Sequence, residues 1–302
     1  MAKVLVVGSL NMDLVVRVPH APQPGETVLG GDFETYPGGK GANQAVAASR
    51  MGGNVTLVGR VGNDDFGDSL IQGLVENQVK TTYVIKDSSA RTGIAMIAVA
   101  ADGQNLIVVA SGANSRVSME DVNSTRDLMR ATDILLLQLE CPLNIVSASI
   151  DLAKAYEIPV VLNPAPAQLL SPALLANVDY LTPNESELAL LTHEKDLERG
   201  VRKLLDWGVK HVIVTLGVNG AFVASEGINK RLSAYEITAV DTTAAGDAFN
   251  GALAVALAEG WTLLEAVSCG MAAGALASTK HGAQPSLPMR DEVEGLIRSS
   301  GN

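Results

Sequence analysis

Cysteine and histidine are scarce: the 302 residues contain two cysteines, Cys141 and Cys269, and four histidines. The two cysteines have neither metal-ligand spacing nor the density of a disulfide framework, which points to a reducing compartment. His20, His193, His211 and His281 are scattered, and His193-Glu194 lacks the second histidine of a zinc-protease helix, so none is assigned as a ligand. Positive charge is also short. Lys and Arg number 22 against 33 Asp and Glu, a formal net charge of −11, and no basic stripe stands out. This argues against binding to nucleic acid or to an anionic membrane through counterion release, and any phosphate ligand must be held by local dipoles, a few cations or a metal ion. Long hydrophobic runs are missing too. The Gly- and Ala-rich stretch from Ala266 to Thr279 is too mildly apolar to span a bilayer, and the run before Gly8 is too short for a signal peptide. The expectation is a soluble cytoplasmic protein with no nucleic-acid or membrane partner.

What is present is a chain that can bury a large core, with 47% hydrophobic and only 18% charged residues. Aromatics amount to 4%, and Ala, Val, Leu and Gly dominate, as suits helices packed closely on a parallel sheet. Short β-branched runs alternate with helical patterns: strands at 4–8, 55–61, 134–139, 160–162, 180–181 and 212–216, with helices near 41–51, 66–78, 143–156, 185–191 and 197–207. This spacing implies right-handed crossovers and an α/β fold, a doubly wound, mainly parallel sheet with helices on both faces. Two segments break the pattern, 14–36 and 92–110, where strand-like alternation runs without a helix. The second carries a hairpin signature, 94–99 and 106–109 around Asp102-Gly103. They are expected to form a small projecting β-sheet, a lid on the α/β domain built from 1–13, 37–91 and 111–302.

Five polar clusters fall where such a sheet places ligands, beyond the carboxyl ends of strands. Gly8-Ser9-Leu10-Asn11-Met12-Asp13 follows the first strand; Asn11 and Asp13 could grip adjacent hydroxyls, or simply build an Asx turn. Gly38-Gly39-Lys40-Gly41-Ala42-Asn43-Gln44 opens an alanine-rich helix but has neither the spacing nor the Ser/Thr of a P-loop. Its glycines allow close approach to the backbone, and Lys40 and Asn43 add donors suited to a polyhydroxylated ligand; a plain glycine turn is the alternative. Glu140 ends a buried strand and is either a solvated loop residue or another hydroxyl acceptor. Asn184 and Glu187, three apart at a helix start, either cap that helix or organise a hydrated metal ion and phosphate oxygens. Thr215-Leu216-Gly217-Val218-Asn219-Gly220 could admit a nucleotide or be a hairpin turn.

The sixth cluster is Asp241-Thr242-Thr243-Ala244-Ala245-Gly246-Asp247, directly before a helical run. Small residues at a helix start leave backbone N–H groups and the positive dipole end open to an anion, and Asp247 sets a carboxylate beside it. That pairing suits deprotonation of a hydroxyl during phosphoryl transfer, although Thr, Gly and Asp also occur there as ordinary caps.

In their order and spacing the six clusters resemble the ribokinase family of sugar and nucleoside kinases, also called PfkB-type carbohydrate kinases. Gly38 to Asn43 is similar to its amino-terminal signature and Asp241 to Asp247 to its carboxyl-terminal one. The resemblance implies ATP-dependent phosphorylation of D-ribose at the 5-hydroxyl, with Asn11, Asp13, Gly39, Lys40, Asn43 and Glu140 holding the sugar. It makes Asp247 the general base and the backbone of Ala244, Ala245 and Gly246 the anion hole. It assigns Asn184, Glu187, Thr215, Gly217, Gly220 and Gly246 to ATP, with Glu187 reaching Mg2+ through water. It further implies activation by a monovalent cation, usually K+, at Asp241, Thr243, Ala277, Lys280, Gly282 and Ser286, and a homodimer joined through the projecting sheets. Met271 departs from the family pattern, standing where many members place a histidine near the adenine. Acceptors other than ribose, namely deoxyribose, fructose or a nucleoside, remain open, as does a sugar-binding regulator without catalysis.

Overall fold

Successive residues of the first strand face opposite layers. Val4 and Val6 join one hydrophobic core, while Leu5 and Val7 join the other. Burial on both faces is what makes a continuous apolar run settle as an internal parallel strand. The computed structural model describes residues 1–102 and 104–300. Along the chain the strands are β1 (Lys3–Val7), β2 (Asn11–Val18), β3 (Phe33–Gly38), β4 (Asn54–Gly62), β5 (Lys80–Asp87), β6 (Gly93–Ala100) and β7 (Asn105–Ala110). There follow β8 (Ile134–Leu137), β9 (Val160–Leu162), β10 (Tyr180–Leu181), β11 (His211–Thr215), β12 (Ala221–Ser225) and β13 (Ile228–Leu232).

Nine strands form the main sheet in the order β13-β12-β11-β10-β9-β8-β1-β4-β5. From β11 to β5 every pairing is parallel, and β12 and β13 add an antiparallel edge. The chain runs outward from β1 to β4 and β5, then crosses back to β8 on the other side of β1. That reversal opens a crevice beyond the carboxyl ends of β1 and β8, where ligands bind in such sheets. Among the described residues no helix is long and apolar enough to cross a membrane.

The remaining strands form the small sheet, in the order β3-β2-β6-β7. The hairpin of β6 and β7 is antiparallel as its pattern predicts, while Gly103 of the expected turn lies outside the described residues. The boundary at residue 14 needs correction. β2 begins at Asn11, which pairs with Gly38 and with Gly93, so Asn11 and Asp13 ride on the small sheet.

Two helices bring Lys40, Asn43, Gln44 and Asp247 to this crevice. The helix Lys40–Arg50 is buried from Gly41 through Ala48, and the helix Ala245–Ala258 packs across it. Gly251 makes the contact close: a Cβ there would lie 2.7 Å from Ala48 N and 2.8 Å from Gln44 O. Backbones that near to each other place Asn43 and Gln44 within hydrogen-bonding range of Asp247.

Candidate active site

The helix Ala245–Ala258 starts behind Ala244, whose φ of 59° is left-handed, and no side chain caps it. The Ala245 N–H donates to Thr242 O at 3.2 Å and the Thr243 N–H to Asp241 Oδ1 at 2.9 Å. This corrects the expectation of three free N–H groups, because the turn itself uses that of Ala245. Among the described residues no acceptor meets the N–H of Ala244 or Gly246, and a Cβ at Gly246 would touch nothing within 4 Å. The turn is therefore open to an anion.

Asp247 stands in the first turn, only 6% exposed. Its Oδ2 accepts from Asn43 Nδ2 and its Oδ1 from Gln44 Nε2, both at 2.9 Å. Burial raises its pKa, opposed by the Lys40 ammonium and by these two donors. Lys40 lies among four carboxylates, Asp247, Glu140, Glu187 and Asp13, whose combined field outweighs its burial and raises its pKa. Glu140 Oε2 accepts from the Lys40 backbone N–H at 3.0 Å and from Ser9 Oγ at 2.5 Å. Burial, then the charges of Glu140 and Asp247, push the Asp13 carboxyl up to about 7, with Lys40 opposing.

Asn11 is buried, and its Oδ1 accepts from Asn114 Nδ2 at 2.8 Å. Asn114 is itself fixed by the Leu10 N–H and carbonyl, at 2.9 and 3.0 Å. Gly39 has φ of 89°, and a Cβ there would sit 2.6 Å from Asn11 N, so only glycine lets this loop lie against β2. The structure thus gathers Asn11, Asp13, Gly39, Lys40, Asn43, Glu140 and Asp247 at one end of the sheet. Asn43 Oδ1 is buried without a partner among the described residues, an acceptor left for a ligand.

Asn184 and Glu187 form a capping box: Asn184 N–H donates to Glu187 Oε2 and Glu187 N–H to Asn184 Oδ1, each at 2.8 Å. Capping does not exhaust Glu187. The carboxylate is 7% exposed with its pKa raised by burial, and it lies within the field of Lys40. This carboxylate offers the kind of oxygen donor that a hydrated Mg2+ takes. Asn184 bridges to Thr215, and the turn after Thr215 carries Gly217 at φ 55° and Gly220 at φ 84°. Space around Gly217 is open.

Met271 lines a cavity of about 870 Å³ with Tyr235, Trp261, Leu264 and Ser268, and Leu232 and Ser233, which line it too, lie against Gly220. Gly270 and Gly274 on the same helix take the face against Phe249 and Ala245.

On the far side of the Asp241 turn, Asp241 Oδ2 accepts from the Gly282 N–H at 3.0 Å, and Asp241 N–H donates to Ser278 O at 3.1 Å. Ser286 Oγ donates to Ala283 O at 2.8 Å, and the Lys280 N–H to Ala277 O at 3.3 Å. The Lys280 ammonium pairs with Glu292 at 3.0 Å, so only its carbonyl is suited to a cation. One carboxylate with carbonyl and hydroxyl oxygens is a donor set that fits a monovalent cation. Arg50, unremarked in the sequence, pins this loop through Gln284 O at 2.9 Å and Leu287 O at 2.6 Å.

Sequence reasoning missed further residues around Asp247: Gln44, Gln138, Asn163, Thr182 and Asn250, all buried polar side chains. Gln44 closes the glycine motif, and Gln138, Asn163 and Thr182 each follow a strand. Nothing local distinguishes them from ordinary loop residues.

The chain matches the pfkB family of carbohydrate kinases over residues 1–290. It is 42% identical over 293 residues to a ribokinase of Haemophilus influenzae, covering 95% of this chain and 96% of that one. It is 35% identical over 300 residues to a deoxyribokinase of Salmonella typhi, covering 97% and 98%. The structure of Arabidopsis thaliana ribokinase complexed with ribose and ATP superposes with a TM-score of 0.90 at 34% identity, covering 99% of each chain. The chain belongs to the pfkB family of carbohydrate kinases.

Proposed function

We propose that the chain transfers the γ-phosphoryl group of ATP to the 5-hydroxyl of D-ribose, giving D-ribose 5-phosphate and ADP. The observation that carries this reading is the position of Asp247, buried between the Asn11–Asp13–Lys40–Asn43–Glu140 cluster and an open helix amino terminus. Asp13, Asn11, Lys40, Asn43 and Glu140 hold the sugar hydroxyls, and the 5-hydroxyl points at Asp247. Asp247 takes its proton, the oxygen attacks the γ-phosphorus, and the bond to the β-bridging oxygen of ADP breaks. The free N–H groups of Ala244 and Gly246 face the charge that develops on the transferred group. Asn184, Thr215, Gly217 and Gly220 receive the nucleotide.

Mg2+, held through water by Glu187, supplies positive charge to the phosphates when bound. A monovalent cation, K+ by resemblance, fits Asp241, Thr243, Ala277, Lys280, Gly282 and Ser286, behind the same turn. The small sheet acts as a lid: it carries Asn11 and Asp13, so its position sets the sugar contacts. Its strand β7 is exposed at all six residues, among them Leu106, Ile107, Val108 and Val109. An apolar edge of that kind is suited to a second copy of the chain, and a homodimer through the lids follows.

The similarity to a deoxyribokinase favours 2-deoxyribose as the second reading of the acceptor. An ATP-dependent activity screen over ribose, 2-deoxyribose, fructose and nucleosides, with and without K+, separates these acceptors. Ribose is expected to give the highest specificity constant; absence of phosphorylation of any sugar would leave a non-catalytic sugar binder.

A further inference from the structure

Asp247 is anchored by more than its two direct donors. Gln44 Nε2 donates both to Asp247 Oδ1 at 2.9 Å and to Asn163 Oδ1 at 3.1 Å, while Gln44 Oε1 accepts from Gln138 Nε2 at 2.6 Å. Asn163 Nδ2 continues to Thr182 O at 3.3 Å, and Thr182 Oγ1 donates to Asn250 Oδ1 at 2.6 Å. Asn250 Nδ2 ends the chain on Gly246 O at 2.8 Å, one residue from where it began. The hydrogen bonds form a closed ring through the helix Lys40–Arg50, the ends of β9 and β10, and the helix Ala245–Ala258.

Each side chain of the ring is buried, and Asp247 is the one ionisable group in it. The backbone carbonyls of Thr182 and Gly246 can only accept, so they fix which way each amide is turned. With the Asn163 NH2 committed to Thr182 O, its oxygen must receive the Gln44 NH2. That NH2 therefore also faces Asp247, as a donor and never an acceptor. Neutral amides supply this orientation without adding a second charge to the site.

We propose that Gln44, locked by Asn163, is a positioning residue for the reaction: it sets the orientation and the proton affinity of the Asp247 carboxylate, while Asn250 holds the Gly246 turn in the same frame. This rests on Asp247 being the base. Charged groups facing Asp247 from the neighbouring elements are Lys40 on the helix of Gln44, Glu140 beyond β8 and Asp13 on β2. All of them remain when Gln44 is replaced, so a change on replacement isolates the amide.

The test is steady-state kinetics of the full chain across pH, with ribose binding by calorimetry and melting by circular dichroism, for Gln44→Met, Asn163→Leu, Asn250→Ala and Asp247→Asn. Misplacing a reacting group costs about 10–100-fold in turnover. Gln44→Met and Asn163→Leu are expected to lower kcat by about that much, to keep ribose affinity within about threefold, and to move the acid limb of the profile to higher pH. Asn250→Ala should lower kcat and leave the acid limb in place. Because Gln44→Met strands two buried amides and can unfold, the Gln44 side-chain NH2 resonance is also followed in the wild-type chain, where it should titrate with the midpoint of the acid limb. Folded Gln44 or Asn163 variants with wild-type kcat and acid limb, or a pH-invariant Gln44 resonance, would overturn the proposal. If Asp247→Asn keeps near-normal turnover, the base assignment itself falls, and the two failures are thereby told apart.

Discussion

The Asn43 side-chain amide donates to Asp247 Oδ2 at 2.9 Å, joining residues 204 positions apart in sequence. One end of the amide is spent on Asp247 and the other, Asn43 Oδ1, is buried without a partner among the described residues. In the proposed reaction Asn43 would thus link the group that takes the proton to the surface that receives the sugar.

Replacing the base tests this link first. Asp247→Asn removes the proton acceptor and keeps the shape, so kcat should drop by at least about 100-fold, the usual scale of general-base catalysis. Ribose affinity, measured by calorimetry, should change little. Near-normal turnover would refute the role.

The proton affinity of Asp13 predicts a pH dependence of stability. Its carboxyl titrates near 7 in the folded chain against 3.8 when unperturbed. Below about pH 4 both states are protonated, and the group costs nothing. Between about pH 4 and 7 the unfolded chain releases the proton first, so stability falls as pH rises, and the loss is complete above 7. Asp13→Asn should therefore be more stable than wild type at pH 8, by roughly 1–3 kcal/mol after screening, and nearly equal to it at pH 4. Urea melts at the two pH values decide; a difference that does not grow with pH contradicts the assignment.

Two glycines should respond in opposite ways. At Gly39 a Cβ meets Asn11 and Leu10 backbone and φ is positive, so Gly39→Ala should cost roughly 2 kcal/mol or more and weaken sugar binding. At Gly246 the space is open, and Gly246→Ala should melt no lower than wild type while losing kcat, because the methyl group enters the anion turn. Thermal melts paired with kinetics separate the two; equal destabilisation would count against the open turn.

Sugar selectivity should rest on Asp13 and Asn11. Buried groups aimed at hydroxyls are left unpaired by an analogue lacking one, so 2-deoxyribose is expected to have a specificity constant at least about tenfold below that of ribose. Comparable constants for the two sugars would sink this reading.

The lid edge predicts assembly. Ile107 and Val108 are 57% and 60% exposed in the single chain, and a charge there should break a dimer built on that edge. Ile107→Glu should elute as a monomer by light scattering where wild type elutes as a dimer; a monomeric wild type would remove the lid interface.

Much of the fold is legible along the chain because it is written in local periodicity. The two-sided apolar runs 134–137 and 160–162 and the alternation around Asp102 identify internal strands and a hairpin without tertiary knowledge. The glycine motif and the Asp241–Asp247 turn are equally local signals, although by themselves they read equally as a plain glycine turn and an ordinary helix cap. The small sheet's starting point was not legible: Asn11 belongs to β2 because Gly38 and Gly93 pair with it, and pairing partners far along the chain leave no mark on residues 11–13.

The amino-acid sequence alone determined the α/β alternation, the motifs and the types of group they carry, because these follow from short-range pattern and residue type. Tertiary structure alone decided how those groups act on one another. The elevated proton affinity of Asp13, the four carboxylates around Lys40 and the ring of amides from Asp247 to Gly246 all depend on distances between separate strands and helices. Such distances are set by the packing of the helix Lys40–Arg50 on the helix Ala245–Ala258, and burial there makes every charge and every hydrogen bond count for more.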